Sequence, residues 1–502
     1  MNDVRAHITT YGCQMNRLDA HLLAHALREA GARVVDDPAE ANTLLFLTCS
    51  VRAHAEERLF SNIGALRRRK GREPDLVIGV VGCTAQQFGE RLGDRAPLAD
   101  VICAPGRLAE VPALIARVRS GEGPVVALDP DRRDGGAGAL APSDAALDAL
   151  ETARPVGGPS PRHAYVTVMR GCDNFCTYCV VPNVRGAERS RRPAAVLDEV
   201  RRLVGEGARQ VTLLGQAVNK YRADEDGRAW DLADLLAAAA DTAGLDRLHF
   251  ITNHPAAMTD RLAGVFRDVP AVCPYLHMPA QAGSDAVLAR MNRGYTAAEY
   301  ERRVAMARDA RPDVAVASDF IVGFPGETEG DFEATCDLVR RVRFLGGFVF
   351  KYSPRPGTLA ARRYPDDVPL AEKRRRNQVL LDLIQAIATE DNQARVGRTE
   401  SVFVEGPSPH PHLNPKEEGR SQEKMPRGGA SGLPRPDTTP GKADSDPPAG
   451  QVQLRGRTPH NRIVVFDGPK DLAGAIVPVR IVRASALTLF GERSPDAPGP
   501  AG

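Results

Sequence analysis

Three cysteines stand within eight residues of one another near the middle of the chain, as Cys172, Cys176 and Cys179 in a C-x-x-x-C-x-x-C pattern. An apolar run that ends at Met169 precedes them, so they are predicted to lie on a loop after a strand. Three thiolates on one loop can ligate three corners of a 4Fe–4S cluster and leave the fourth iron open to a small chelating ligand. Zinc is the main alternative, but structural zinc takes four protein ligands and the nearest upstream histidine is His163.

A second set of three cysteines is spread over the first part of the chain. Cys13, Cys49 and Cys83 each follow an apolar run that predicts a strand. Because the carboxyl ends of parallel strands share one edge of a sheet, these residues can meet in space. The alternative is three inert buried cysteines, which are common in cores. Cys103 also follows a strand, and the residues alone leave it open as a fourth ligand.

The central loop resembles that of the radical S-adenosylmethionine superfamily, in which an aromatic residue precedes the third cysteine, as Tyr178 does here. Taken together, the two triads resemble the methylthiotransferases over nearly the whole chain. The resemblance implies two 4Fe–4S clusters, with S-adenosylmethionine on the open iron of the first and a sulfur-supplying role for the second. It implies a 5′-deoxyadenosyl radical formed by one-electron reduction, and it leaves Cys103 out of the ligand set. We interpret Cys273 and Cys336 as packing residues.

Further motifs bear on the substrate. These are Val180-Val181-Pro182, Arg185-Gly186, Glu188-Arg189-Ser190-Arg191, the segment 213–219, His254-Pro255 and the segment 276–284. They resemble the branch that acts on prenylated tRNA, which implies that a methylthio group is added to carbon-2 of N(6)-dimethylallyladenosine beside the anticodon. Ala217 and Ala282 depart from the Asn and Ser usual in that branch. The alternatives are methylthiolation of threonylcarbamoyladenosine in tRNA or of a ribosomal-protein aspartate, and a non-enzymatic zinc-bearing RNA-binding protein. Radical chemistry needs no acid–base pair, so we name no catalytic side chain.

The segment from Ile321 to Thr328 closes one predicted strand and opens a helix. Its glycines, Gly323 and Gly326, let the backbone approach a ligand closely. With Tyr178 and Gln216 they are our candidate contacts to S-adenosylmethionine. Thr328 and Asp331 also fit a helix-capping pair, which is the purely structural interpretation.

The order of predicted elements indicates an α/β protein of several domains. Residues 1–120 alternate strands and helices, which predicts a doubly wound parallel sheet as the N-terminal methylthiotransferase domain. Residues 121–161 are rich in Gly, Pro, Ala and Asp, and we interpret them as a linker. Residues 162–396 contain six strand–helix units, which predict a partial (β/α)6 radical S-adenosylmethionine barrel followed by a long helix.

Residues 397–492 predict a small antiparallel β-barrel that resembles the RNA-binding TRAM domain, with Gly456-Arg457-Thr458-Pro459-His460-Asn461-Arg462 matching its pattern. An insertion at 408–450 holds nine Pro and six Gly, a composition that predicts disorder. We predict that Arg455, Arg457, His460 and Arg462 contact phosphates. A solvated hairpin is the alternative.

Composition limits the class of protein. The 502 residues carry 66 Lys and Arg against 64 Asp and Glu, a net charge of +2, which excludes a histone-like binder of nucleic acid. Neither a signal peptide nor a membrane span is indicated, so we expect a soluble cytoplasmic protein. Nine cysteines then indicate metal or redox chemistry rather than disulfides. The expected partners are tRNA, through its anticodon stem-loop, and an electron-donor protein, with no membrane. A monomer is the simplest expectation for the oligomeric state.

Overall fold

The structure is a computed structural model that describes residues 1–50, 53–129, 142–158, 160–409 and 451–493. By their internal contacts the residues form two compact units, Met1–Leu383 and Ile384–Gly502. The helices of the described residues include none long and apolar enough to cross a membrane.

The first unit begins with a six-stranded parallel sheet in the order β2-β1-β3-β4-β5-β6. Its strands are β1 (Arg5–Tyr11), β2 (Arg33–Val34), β3 (Thr43–Thr48), β4 (Val77–Gly82), β5 (Val101–Cys103) and β6 (Val125–Ala127). Every residue of β3 and β4 is buried, because helices cover both faces of the sheet. The strand order reverses between β1 and β3, which is where sites form in sheets of this type. The predicted doubly wound sheet is confirmed.

Helices accompany the strands of this sheet. They are α1 (Gln14–Glu29), α2 (Ala53–Ala65), α3 (Arg67–Arg72), α4 (Cys83–Phe88), α5 (Leu92–Arg95), α6 (Val111–Arg119) and α7 (Pro142–Ala153). Leu66 separates α2 from α3. Helix α4 ends at Phe88, because the next residue, Gly89, adopts a φ of +55°, which an α-helix cannot accommodate.

The segment interpreted as a linker contains ordered structure, which corrects that interpretation for part of its length. Val125–Ala127 adds β6 to the sheet edge by pairing in parallel with β5. Pro142–Ala153 forms α7, whose Leu147 packs into the core beneath the sheet. Glycines and prolines around β6 and α7 dominate the composition of residues 121–161. The average composition of the segment therefore does not reveal these two short apolar elements. Residues 130–141 and 159 lie outside the described residues.

The partial barrel follows, as two three-stranded parallel sheets in the orders β13-β10-β7 and β14-β15-β16. A parallel bridge between Leu248 and Val272 connects them. The strands from here to the end of the barrel are β7 (His163–Thr167), β8 (Met169–Arg170), β9 (Arg189–Ser190), β10 (Gln210–Leu214), β11 (Arg222–Glu225), β12 (Arg228–Asp231), β13 (Arg247–Phe250), β14 (Tyr275–His277), β15 (Ala315–Val322) and β16 (Gly346–Lys351). The six-stranded partial barrel is confirmed, and two short hairpins, β8–β9 and β11–β12, join it.

The helices of this region cover the outside of the barrel. They are α8 (Val181–Arg185), α9 (Pro193–Gly205), α10 (Leu232–Ala240), α11 (Asp260–Asp268), α12 (Asp285–Arg290), α13 (Ala297–Ala310), α14 (Glu329–Val342), α15 (Leu359–Arg363) and α16 (Leu370–Gln393). Thr328 and Asp331 cap α14 reciprocally, as predicted from the sequence.

The second unit contains a closed five-stranded barrel, β17-β18-β19-β21-β20. Its strands are β17 (Thr399–Pro407), β18 (Val452–Arg457), β19 (Ile463–Gly468), β20 (Ile476–Ala484) and β21 (Thr488–Arg493). Four pairings are antiparallel, and β19 pairs with β21 in parallel. Pro407 pairs with Leu454 across β17 and β18, the two strands that precede and follow the insertion in the chain. The predicted disorder at 408–450 falls almost wholly outside the described residues.

Candidate functional site

The central cysteine loop begins at a sharp turn between β8 and the first cysteine. Gly171 has a φ of +74°, and a Cβ there would collide with the backbone carbonyl of Ala187. Each of the three sulfurs accepts a hydrogen bond from an N–H group: Asn174 Nδ2 to Cys172 at 3.2 Å, Arg293 Nη1 to Cys176 at 3.2 Å, and the Val181 amide to Cys179 at 3.4 Å. Such donors stabilise a thiolate, which is the form that binds metal.

The three central sulfurs share one low-dielectric environment. Burial, followed by the negative charge of Cys176, raises the pKa of the Cys179 thiol to about 12. Burial is also the main cause that raises the pKa of Cys172, to which Cys176 adds. Positive metal ions reverse this effect on coordinating thiols, so the donor set fits an iron–sulfur cluster.

The structure gathers the N-terminal cysteines at one edge of the sheet. Cys13 follows β1, Cys49 follows β3 and Cys83 follows β4, three strands that are neighbours in the sheet. A hydrogen bond with Cys49 is the chief cause that lowers the pKa of Cys13 to about 6. Gly12 permits the approach, because a Cβ there would lie 2.6 Å from the Cβ of Cys49. Three thiols at one sheet edge are a donor set that suits iron and sulfide.

Cys103 lies elsewhere. It is the last residue of β5, fully buried among the apolar side chains of the N-terminal core. Cys273 and Cys336 are likewise buried. Within the described residues, no three Cys, His, Asp or Glu side chains already adopt an arrangement that would hold a single metal ion.

The two triads lie close together, because the chain that leaves the central loop packs against the N-terminal sheet edge. Val180 and Val184 form an apolar cluster with Cys83. From the same short helix, Arg185 Nε donates to Cys83 Sγ at 3.2 Å. Both sets of sulfurs therefore belong to one region of the first unit.

A cavity of about 1110 Å³ opens next to both triads. The N-terminal domain lines it with Thr10, Tyr11, Gly12 and Ser50, which flank Cys13 and Cys49, and the central loop lines it with Tyr178 and Cys179. Its volume exceeds the range of ordinary small-molecule pockets, about 300–1,000 Å³. The cavity can therefore admit a substrate besides a cofactor.

The barrel side of the cavity carries polar atoms that lack partners. Asp319 Oδ1 and the Tyr352 hydroxyl are buried with no hydrogen-bond partner among the described residues, and both residues line the cavity. Buried polar groups of this kind normally bond to something, which indicates a polar ligand. Asp319 Oδ2 also lies 3.6 Å from His277 Nε2.

The four candidate contacts to S-adenosylmethionine fall into different places. Tyr178 lines the cavity. Gln216 does not, although its Oε1 atom is buried without a partner in the described part of the chain. Gly323 and Gly326 have φ of +68° and +72°, a left-handed conformation that favours glycine whether or not a ligand binds nearby. The four assignments stay predictions.

Sequence reasoning missed several groups at this site. Gln281, Asp319 and Tyr352 line the cavity, and the buried guanidinium of Arg293 reaches Cys176. Asp319 gave a usable signal, because it is a charged residue within the apolar strand β15. Arg293 gave none, because its contact depends on how the residues after α12 pack against the loop.

The second unit corrects part of the predicted phosphate surface. His460 and Arg462 are each only 8% exposed. Arg462 bonds to Asn392, and burial lowers its pKa to about 10. Arg455 and Arg457 are partly exposed, and both bond to Glu405 at 2.8 Å. The apolar spacing of β19 does not reveal that the turn before it folds inward.

Comparisons with known proteins agree with this architecture. Residues 166–339 match the radical SAM superfamily, and residues 5–104 match uncharacterized protein family UPF0004. A solved structure of the radical S-adenosylmethionine methyltransferase TsrM from Kitasatospora setae shares the fold, with a TM-score of 0.51 and 16% identity over 71% of this chain and 74% of that chain. The chain thus contains a radical SAM domain that is preceded by a UPF0004 domain.

Full-length relatives define the family more narrowly. The tRNA-2-methylthio-N(6)-dimethylallyladenosine synthase of Rhodopirellula baltica is 44% identical over 97% of this chain and 95% of its own length. The enzyme of the same name from Syntrophotalea carbinolica is 39% identical over 97% and 99%. The chain belongs to the tRNA-2-methylthio-N(6)-dimethylallyladenosine synthase family, and the predicted resemblance is confirmed.

Proposed function

We propose that this protein adds a methylthio group to carbon-2 of N(6)-dimethylallyladenosine in tRNA, at the position beside the anticodon. The observation that carries the proposal is a cavity that is lined both by the central loop and by the N-terminal sheet edge. Radical generation and sulfur insertion at one carbon require both centres to reach the same substrate atom. The family membership supports this choice of substrate.

In this proposal Cys172, Cys176 and Cys179 hold one 4Fe–4S cluster, and Cys13, Cys49 and Cys83 hold the other. When bound, the first cluster would supply the electron that cleaves S-adenosylmethionine. The second cluster would supply the sulfur of the product. Asn174, Arg293 and the Val181 amide orient the central sulfurs through their hydrogen bonds. Asp319 and Tyr352 offer polar atoms to the ligand in the cavity.

The two residues that depart from the usual motif do not line the cavity. Ala217 and Ala282 are each 1% exposed and do not line it, whereas Gln281 beside the second does. Their small side chains therefore affect packing beneath the site rather than contact with the substrate. We propose a cytoplasmic location, where tRNA is modified, and a reductant protein as electron donor.

Three cysteine variants test the proposal in vivo and in vitro. Cys176→Ala should abolish cleavage of S-adenosylmethionine, because its cluster is lost. Cys49→Ala should retain cleavage yet yield no methylthio product. Cys336→Ala is the matched control, a cysteine buried within α14, and should retain both. Full product from Cys49→Ala would contradict the proposal.

Nucleoside mass spectrometry of tRNA from a deletion strain identifies the substrate. Loss of methylthio-dimethylallyladenosine is the expected result, and loss of the threonylcarbamoyl derivative, or of ribosomal-protein thiolation, would assign one of the rival activities. Iron analysis after anaerobic purification should give about eight irons per chain for two clusters. Zinc in place of iron would identify a non-enzymatic protein.

A further inference from the structure

We propose that Arg185 is a positioning residue that joins the two cysteine triads and acts with its positive charge on the second cluster. The inference rests on the proposed function, because it takes Cys83 as a ligand of that cluster. It assigns a role to a residue outside both triads and outside the cavity lining.

The guanidinium of Arg185 lies between the sulfur of Cys83 and the carboxylate of Asp19. Its Nε donates to Cys83 Sγ at 3.2 Å, and its Nη2 donates to Asp19 Oδ2 at 2.5 Å. Asp19 belongs to α1, which begins directly after Cys13. One side chain therefore connects the strand end that carries Cys83 to the helix that follows Cys13.

The ion pair of Arg185 and Asp19 is buried, so water screens its charges poorly. The side chains of Arg185 and Asp19 are 9% and 5% exposed. An arginine guanidinium keeps its positive charge in proteins, and here the carboxylate of Asp19 pairs with it. An ion that is poorly screened by water exerts a strong field on neighbouring sulfur.

The position of Arg185 in the chain ties this charge to the other triad. It is the last residue of α8, which begins at Val181, two residues after Cys179. Val180 and Val184 pack against Cys83 on the same side. The short segment from Cys179 to Arg185 thus sets the separation between the two groups of sulfurs.

The chemical consequence concerns the reduction potential. Hydrogen bonds to ligand sulfur and nearby positive charge favour the reduced, more negative state of an iron–sulfur cluster. Arg185 should therefore raise the potential of the second cluster, and Asp19 should partly oppose it. Removing the charge of Arg185 and removing the charge of Asp19 should therefore shift the potential in opposite directions. A mere loosening of the site would not produce shifts of opposite sign.

The test uses the full chain with Cys172, Cys176 and Cys179 replaced by Ala, so that the second cluster alone contributes to the spectra. Redox titration followed by electron paramagnetic resonance gives its midpoint potential. Arg185→Gln should lower the reduction equilibrium constant about tenfold, a shift of about 59 mV to more negative potential for one electron. Arg185→Lys, which keeps the charge, should shift it less, and Asp19→Asn should shift it to more positive potential.

Arg201→Gln is the matched control, because Arg201 lies on the surface of α9, 58% exposed, and pairs with the exposed Asp198. It should leave the potential unchanged. If Arg185→Gln loses its iron, the signs measured for Arg185→Lys and Asp19→Asn decide the question. Unchanged potentials, or shifts of the same sign, in iron-loaded variants would overturn the inference. If the starting protein, in which only Cys172, Cys176 and Cys179 are replaced by Ala, contained no iron, the second cluster of the proposed function would be contradicted instead.

Discussion

At the scale of single residues, backbone geometry sets where the central sulfurs stand. Gly171 immediately precedes Cys172 and takes a left-handed φ. The pairing of β8 with β9 brings Ala187 so close that no side chain fits at that position. Any side chain at this position would meet both the unfavourable φ and the clash with Ala187, and removing one of the two problems would leave the other.

Gly171→Ala should therefore lower the iron content of the central loop and slow cleavage of S-adenosylmethionine at least tenfold. A non-glycine residue at such a φ costs about 1–3 kcal/mol, and the clash with Ala187 adds to it. Gly205→Ala is the control, because Gly205 ends α9 with open space around it and should be neutral. Iron analysis and a cleavage assay measure both variants, and full iron loading of Gly171→Ala would contradict this account.

At the scale of elements, a buried ion network anchors the start of the central loop. It joins β8 and α9 to α7 and to the residues that directly follow α7 and β9. Its five side chains are each less than 15% exposed: Glu151, Arg154, Arg170, Arg191 and Glu199. Glu199 accepts from Arg154 at 3.0 Å and from Arg191 at 2.7 Å, and it is fully buried. Such a network is stable only while each charge has its partner.

Glu199→Gln should destabilise the first unit by about 3–5 kcal/mol, the cost of leaving buried charge unpaired. Asp198→Asn is the control on the same helix, since its pair with Arg201 is exposed and worth at most about 1 kcal/mol. Chemical denaturation followed by circular dichroism compares the two. Equal stability of both variants would show that the network contributes little.

At the scale of the first unit as a whole, one ion pair joins the N-terminal domain to the barrel beside the cavity. Glu56 on α2 accepts from Arg355, which follows β16, at 3.0 Å, and the two side chains are 11% and 13% exposed. The residues are 299 positions apart in the chain. The pair thus helps to hold the sheet edge with Cys13 and Cys49 over the barrel.

Glu56→Arg and Arg355→Glu should each reduce methylthio product at least tenfold, because like charges would separate the two faces of the cavity. The double variant reverses the pair and should recover most of the loss. A double-mutant cycle on thermal stability should give a coupling of about 1–3 kcal/mol. Losses that simply add in the double variant would contradict a direct interaction.

The sequence alone determined the local features of this protein. The strands β3, β5 and β10 consist mostly of apolar residues, because burial on both faces of a sheet requires short apolar stretches that the sequence shows directly. The central cysteine motif can be recognised without the fold, because three cysteines within eight residues must lie on the same loop.

The tertiary structure decided what depends on distant partners. Strand order brings Cys13, Cys49 and Cys83 to one edge, packing excludes Cys103, and helix α8 carries Arg185 to Cys83. Packing also withdraws His460 and Arg462 from solvent. Hydrophobic pattern specifies which face of an element is buried, but which neighbour covers that face follows only from long-range contacts.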